Sequence, residues 1–567
     1  MAPWMRTFEI WELPLKGLNP EMSSKWRVNA LALCMFFSGY CGIIAELSLF
    51  TLAESLIGGT FINLLLTMGV MMFCMGVGAW LAGWSVFDRA SYGSFIALEL
   101  LISIGVCAAM PLLTFACGWW APWSSFFFAL LSATIGVLIG MEIPIMQKIM
   151  QGETGEGIQV VSSRVMMADY FGGLLGFVGF SLFLLHQFGL SWTAYSSGLL
   201  NLIIALLVSF SRSVSVISRG ACVLVVMLTG FLGYRLEELM KIGEQFLYRD
   251  KITWSEQTRF QKLVATKPQE GFDNGYDERR LRQYRKSFHV KDGFDVMSGS
   301  ARVAEKKENL SLFINGGLQF NSKDEGVYHE HLVHGGFALN PEIESVLLMG
   351  AGDGLALREI FRHEEVKRVV LVELDPAMVD AFRTRPELVE LNGGSLSDPR
   401  LEVIHQDAWK WAKEGKGFFD LIILDFPDPH HVQTAKLYTT QFYKLLGHHL
   451  RPDGVLVTQG TSPLYDRSGF WCIGKTLESA GFHTASLHVE MISFGQWGFH
   501  LATKKKRRIE MISMLEAWPL KTSLMYASGN SMRSGLSWGL EHDRVRAKVP
   551  VNDMTNLALM ALYGKKE

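Results

Sequence analysis

Residues 421–431 read LIILDFPDPHH. An unbroken run of Leu and Ile is what a strand buried on both faces looks like. This one ends in two aspartates three apart, two prolines and two histidines. Its neighbours follow the same plan. After Pro341 come SVLLMGAGDG (345–354), LALREIFRHE (355–364) and RVVLVELDP (368–376), which read as strand, glycine loop, helix and strand. LEVIHQD (401–407), a helix over 438–450 and GVLVTQG (454–460) continue the series. Strands alternating with helices predict a doubly wound parallel sheet. Ligands of such sheets bind outside the carboxyl ends of the strands. Asp425 and Asp428 therefore stand where an α/β sheet puts its active site.

Ahead of this region, FQKLVATK (260–267) and LSLFING (310–316) read as strands of a small β part. Between them DERRLRQYRKSFHVKDG (277–293) reads as an inserted surface segment, placed near 268–305. The first half of the chain differs in kind. Of 567 residues only 19% are charged, and mean hydropathy is +0.20. The net charge of −2 averages a nearly uncharged first half and a polar second half. A helix needs about 20 apolar residues to cross the hydrocarbon core. Candidates lie near 28–50, 60–87, 93–117, 123–147, 165–187, 191–210 and 220–234, the last being the shortest.

The expected organisation is an arm over 1–27, an all-α polytopic membrane domain over 28–234 with six or seven spans, a small β part over 245–340 and an α/β domain over 341–567. Glu9 and Glu12 interrupt any apolar core of a cleavable signal. Lys and Arg fall in the arm and in alternate short loops, at Arg89, at Lys148 and Arg164, and at Arg212 and Arg219. That pattern predicts an inside N-terminus. Seven spans would then leave the polar half outside, and six would leave it inside.

Four acids lie within the apolar segments: Glu46, Glu99, Glu142 and Asp169. An ionisable group at membrane depth is a functional candidate by default, and four acids suit an organic cation. The bland alternative is a helix-end position or a bridge to Arg164 or Lys148. Gly172, Gly173, Gly176 and Gly179 fit close helix packing. The seven cysteines, six in apolar stretches and Cys472 alone in the polar half, show neither zinc nor disulfide spacing. His430 and His431 have no third ligand at sensible spacing, so no metal is expected.

GAGDG (350–354) is a turn in which Gly350 and Gly352 let the backbone approach a ligand. A dinucleotide fingerprint would need glycine at Leu355, so an adenosine-type ligand fits better. Glu373 closes the next strand, where an acid for ribose hydroxyls is expected. By themselves, Asp425 and Asp428 also suit an ordinary turn. KKKRR (504–508) is a solvated surface or a contact for anionic lipid, and the rest of the half is not basic enough for nucleic acid.

FINGGLQFNSKDEGVYHEHLVH (313–334), VLLMGAGDG, LVELDP, HQDAW and LDFPDP, in this order, resemble the polyamine aminopropyltransferases, the spermidine synthase family. The resemblance covers nearly all of about 250–565. The apolar half is similar to the multi-pass domain fused to some bacterial members. The resemblance implies a Rossmann-like, methyltransferase-type fold and decarboxylated S-adenosylmethionine as donor, a co-substrate rather than a resident cofactor. Its aminopropyl group would pass to putrescine or another polyamine, leaving 5′-methylthioadenosine.

By the same resemblance Gln319 meets the donor near its sulfonium, Glu373 the ribose, and Asp407 with Ala408 the adenine. Tyr328, His329, Asp353 and Asp428 would line the amine region, and Asp425 would be the base. Phe426 and Pro427 replace small hydroxylated residues, and Ile492 and Ser493 replace a Tyr-Pro pair, so an altered acceptor pocket is expected. Placement in a bacterial inner membrane with a cytoplasmic catalytic half and a possible homo-oligomer follow as expectations. The alternatives are a polyamine transporter or sensor whose polar half only binds, and a small-amine methyltransferase. Against the latter stand the paired aspartates and Leu348, where a methyltransferase carries an acid.

Overall fold

The computed structural model describes residues 20–57, 61–84, 91–120, 123–210, 214–269, 272, 309–429, 431–519 and 524–562, without the side chains of 20–25, 57, 61–67 and 186. Most of the inserted segment, His430 and Arg89 lie outside the described residues. The chain forms two compact units, residues 1–252 with 269–301, and 253–268 with 302–567.

The first unit is helical. Its helices are α1 (Pro20–Ile57), α2 (Phe61–Leu81), α3 (Tyr92–Trp119), α4 (Ser124–Thr154), α5 (Ile158–Gly179), α6 (Leu185–Ser209) and α7 (Val216–Gln245). Six of them are long and apolar enough to cross a membrane, and α2 contributes a shorter apolar stretch, Met68–Leu81. Helix starts follow local chemistry, as where Ser91 and Ser215 accept from the backbone N–H groups of Ser94 and Ser218 at 3.3 and 3.2 Å. Close packing occurs where the glycine pattern foretells it: a Cβ on Gly172 of α5 would lie 1.8 Å from the carbonyl oxygen of Phe36 in α1.

Two expectations need correction. The apolar window of the last segment closes at Arg235, yet α7 runs 30 residues, with Arg235 inside it and paired to Glu238 at 3.0 Å. It is longer than three of the other five spans, which run from 23 to 31 residues. Likewise α1 begins at Pro20, within the expected arm, and carries Arg27 beside Glu153 at 3.5 Å. Helical hydrogen bonding continues through charged turns that a hydropathy window excludes.

The second unit has two sheets. Four strands, β1 (Lys251–Gln257), β2 (Lys262–Lys267), β3 (Ser311–Ile314) and β4 (Gly317–Asn321), form the small one in sequence order. Helix α8 (Glu325–Leu339) follows. The large sheet holds β5 (Ser345–Gly350), β6 (Arg368–Glu373), β7 (Leu401–His405), β8 (Phe419–Asp425), β9 (Leu450–Gln459), β10 (His483–Met491) and β11 (Gly495–Thr503). Its order is β10-β11-β9-β8-β5-β6-β7, with β5 to β9 parallel and β11 and β10 antiparallel at one edge.

Both faces are covered, as the unbroken apolar runs require. Leu348, Leu421, Ile423 and Val457 join one core, while Leu347, Met349, Ile422, Leu424 and Leu456 join the other. The strand order reverses between β5 and β8, and this switch point is where such sheets bind ligands. There Gly350 and Asp425 are register partners.

The basic run 504–508 lies at the surface, with Lys504, Lys505 and Arg507 exposed. Lys504 donates to the carbonyls of Gly447 and Leu450, and Lys505 pairs with Asp453 at 3.0 Å.

Candidate active site

Asp425 ends β8 at the switch point, where the apolar strand gives way to a proline loop. Its Oδ1 accepts the hydroxyl of Tyr328 from α8 at 2.6 Å. A turn aspartate would be bound to its own loop; this one is bound to a helix 97 residues away. Gly350 beside it has φ +79°, and a Cβ there would lie 2.2 Å from the carbonyl oxygen of Asp425. Only glycine permits both the backbone angle and the approach.

Three consecutive residues of α8 point three ways, as a turn of about 100° per residue dictates. Tyr328 reaches Asp425. Buried His329 places Nδ1 at 2.9 Å from both the carbonyl oxygen and Oε2 of Glu325, one turn earlier. Glu330 accepts the backbone N–H groups of Met525, Tyr526 and Ala527 at 3.0, 2.7 and 2.8 Å. Glu325 is held on its other side by both terminal nitrogens of Arg358, each at 2.9 Å. Such a bidentate pair is among the stronger polar contacts.

Charge follows from these contacts. Burial alone would lower His329, but Glu325, Asp353 and Asp425 raise it above its ordinary value. Burial raises Asp425, while the His329 charge and the Tyr328 hydrogen bond restrain the rise. Asp353 is pushed up to about 6, chiefly by burial, with His329 opposing. Two or more carboxylates around one imidazole thus share a site that favours an added positive charge.

The loop after β5 has an unusual backbone. Ala351 and Gly354 have φ of +61° and +76°, and Asp353 Oδ1 accepts the N–H of Leu355 at 2.9 Å. Glu373, at the end of β6, accepts the N–H of Gly352 at 3.2 Å and that of Asp375 at 2.9 Å. Burial pushes it up to about 7. Asp407 caps the helix Ala408–Glu414 through the N–H of Lys410 at 2.9 Å and pairs with Lys436 at 2.9 Å. Burial pushes Asp407 up, but Lys436 together with the backbone N–H groups of Lys410 and Trp409 holds it below the usual carboxylate range. Buried Ala408 opens that helix.

The structure thus bonds Tyr328 to Asp425, keeps His329 and Asp353 within electrostatic reach of it, and pairs Gly350 with Asp425 and Gly352 with Glu373. Gln319 belongs to the small sheet, where its amide donates to Gly317 at 3.3 Å. Asp428 lies 3.2 Å from Nε2 of Gln459, which also donates to the carbonyl of Phe426 at 2.9 Å and to the hydroxyl of Tyr438 at 2.7 Å. Gln459 and Tyr438 thereby fix the 425–428 loop. His431 sits at the start of the helix Val432–Ala435, its N–H donating to Thr434 at 3.3 Å. Ile492 is 92% exposed, whereas Ser493 is held by Asp324 through its N–H at 2.6 Å and its hydroxyl at 2.8 Å.

Sequence reading misses Glu325, Arg358, Gln459 and Tyr438. The i,i+4 spacing of Glu325 and His329 was a usable signal on a helix. Gln459 gave only its place at the end of β9.

The spermine/spermidine synthase domain family matches residues 325–512, the span that holds α8, the glycine loop and Asp425. A polyamine aminopropyltransferase of Leptospira interrogans is 33% identical over 95% of this chain and 98% of its own length. Polyamine aminopropyltransferase 1 of Streptomyces coelicolor is 36% identical over 83% of each chain. The crystal structure of a spermidine synthase from Thermotoga maritima superposes with a TM-score of 0.41 at 22% identity, covering 52% of this chain and 88% of that one. With the Leptospira match running through both the helical and the α/β units, this chain belongs to the polyamine aminopropyltransferase family.

Proposed function

We propose that the chain is a membrane-bound enzyme that moves the aminopropyl group of decarboxylated S-adenosylmethionine to putrescine or a related amine, with Asp425 as general base. The observation that carries this reading is Asp425 at the switch point beside Gly350, one oxygen engaged by Tyr328 and the surrounding charge favouring a cation. An aliphatic amine with a pKa of about 10 arrives protonated at neutral pH. Asp425 takes a proton from it, and the nitrogen lone pair then attacks the methylene next to the sulfonium. The carbon–sulfur bond breaks, its electrons neutralise sulfur, and methylthioadenosine leaves. The sulfonium is already a good leaving group, so the reaction needs neither metal nor resident cofactor.

In this reading Asp353, His329, Tyr328 and Asp428 hold the amine. Gly350, Gly352, Glu373, Asp407, Ala408 and Gln319 hold the donor. The altered turns at Phe426, Pro427, Ile492 and Ser493 set which amine enters. Mass analysis of products from purified full-length protein, supplied with the donor and a panel of diamines and polyamines, tests the reaction. The expected result is one added aminopropyl unit, lost in Asp425→Asn. Tight donor binding without product for any amine overturns it.

The donor is made in the cytosol, which supports a cytoplasmic catalytic unit. With the six helices of spanning length as the spans, that placement agrees with the inside N-terminus of the Lys and Arg pattern, whereas α2 as a seventh span would put the N-terminal arm outside. Protease accessibility of tags at both termini in spheroplasts decides between the two.

A further inference from the structure

Three acids from three helices are buried or half-buried inside the helical unit. Asp169 of α5 is partly buried and lies against α1, where a Cβ on Gly39 would sit 2.6 Å from its Oδ1. Glu142 of α4 is 3% exposed and accepts a hydrogen bond from Ser38 of α1. Asp169 lies within electrostatic reach of Glu142, and Glu142 within reach of Glu99 on α3. Glu46 lies two turns beyond Ser38 on α1, partly buried.

Glu99 supplies an observation of a different kind. It is fully buried at 0% exposure, and neither carboxylate oxygen meets a hydrogen-bond partner among the described residues. An isolated carboxylate in apolar surroundings is very costly unless a positive charge or a proton joins it. Four basic side chains among the described residues of the helical unit are engaged elsewhere. Arg27 pairs with Glu153, Arg164 with Glu156, Lys148 donates to the carbonyl of Ala82, and Arg219 to that of Ser209. The bridges to Arg164 or Lys148 that would make these acids purely structural are therefore absent among the described residues.

No group of three or more His, Cys, Asp or Glu converges as metal ligands among the described residues. Acids within reach of one another in series, Asp169 with Glu142 and Glu142 with Glu99, and Met35 and Cys41 fully buried on the same helix as Ser38, match a linear chain of ammonium groups joined by methylenes. We infer that the helical unit binds a linear polyammonium, with Glu99 and Glu142 as its buried anchors, Ser38 as a hydroxyl partner and Asp169 at its outer end. This site is distinct from the one around Asp425 and lies in the other unit of the chain.

Equilibrium dialysis of full-length protein in nanodiscs against radiolabelled spermidine tests it. Wild type is expected to bind one equivalent more than the catalytic site accounts for. Glu99→Gln and Glu142→Gln lose that equivalent, and Asp169→Asn weakens it by about tenfold, while aminopropyl transfer by all three stays within about twofold of wild type. A failed catalytic reading would show instead in the transfer assay. On unmutated protein, the infrared band of protonated carboxyl groups is expected to fall as spermidine saturates. A single equivalent in wild type overturns the proposal, as does an extra equivalent that all three variants keep. So does a carboxyl band that persists at saturation, which would leave the acids holding protons alone.

Discussion

The proton on Asp425 is governed by neighbours that pull in opposite directions: burial holds it on, and His329 and Tyr328 help it off. Asp425→Asn is expected to cut kcat by about 10²–10⁴, the usual worth of a general base, with donor affinity retained in equilibrium binding. Retained turnover would remove Asp425 from the mechanism. Tyr328→Phe deletes the 2.6 Å hydrogen bond that favours the ionised carboxylate. Asp425 then stays protonated to higher pH, and the acidic limb of the kcat profile shifts upward; a limb that does not move refutes the coupling. Asp353, near 6 in the free protein, works with the same sign. A bound ammonium favours its charged form, so amine binding strengthens as pH rises through about 6 and weakens below it. Asp353→Asn should flatten that step in kcat/KM for the amine. At this scale the motif was legible where function lies in one short run, as with Tyr328, His329 and Asp425. Glu325 with Arg358, and Gln459 with Tyr438, act by pairing over 21 to 33 residues, and nothing in either local stretch announces the partner.

Elements explain which of the longer features could be read in advance. β8 shows no alternation because Leu421 to Leu424 are all fully buried between two cores, and the absence of alternation was itself the signal. α7 was read short because a hydropathy window stops at Arg235, whereas the helix stops where its backbone hydrogen bonds do, near Phe246. α8 carries a second duty beside presenting Tyr328 and His329. Through Glu330 it gathers three backbone N–H groups of the 525–527 segment. Glu330→Ala leaves those donors without their acceptor and is expected to cost about 2–3 kcal/mol, read as a lower denaturant midpoint of the α/β unit by tryptophan fluorescence. An unchanged midpoint would assign the tether no energetic weight.

On the scale of the whole chain, the division into an uncharged and a polar half was plain from composition, and the two compact units divide near it, at residues 252–253. The acids of the helical unit were visible as residues, but their convergence was not, because Ser38, Glu99, Glu142 and Asp169 come from four helices. Six helices of spanning length lead to the expectation that the full chain stays with membranes through high-salt and alkaline washes and leaves them only in detergent; release by carbonate would contradict a spanning role. One feature of the sheet reaches further. Gly350 and Asp425 are partners on adjacent parallel strands, about 4.8 Å apart, so the loop assigned to the donor and the assigned base are riveted to the same piece of backbone. In the proposed reading, the exposed turn at Ile492 can then vary over generations without shifting the donor loop against the base, whereas buried Phe426 cannot.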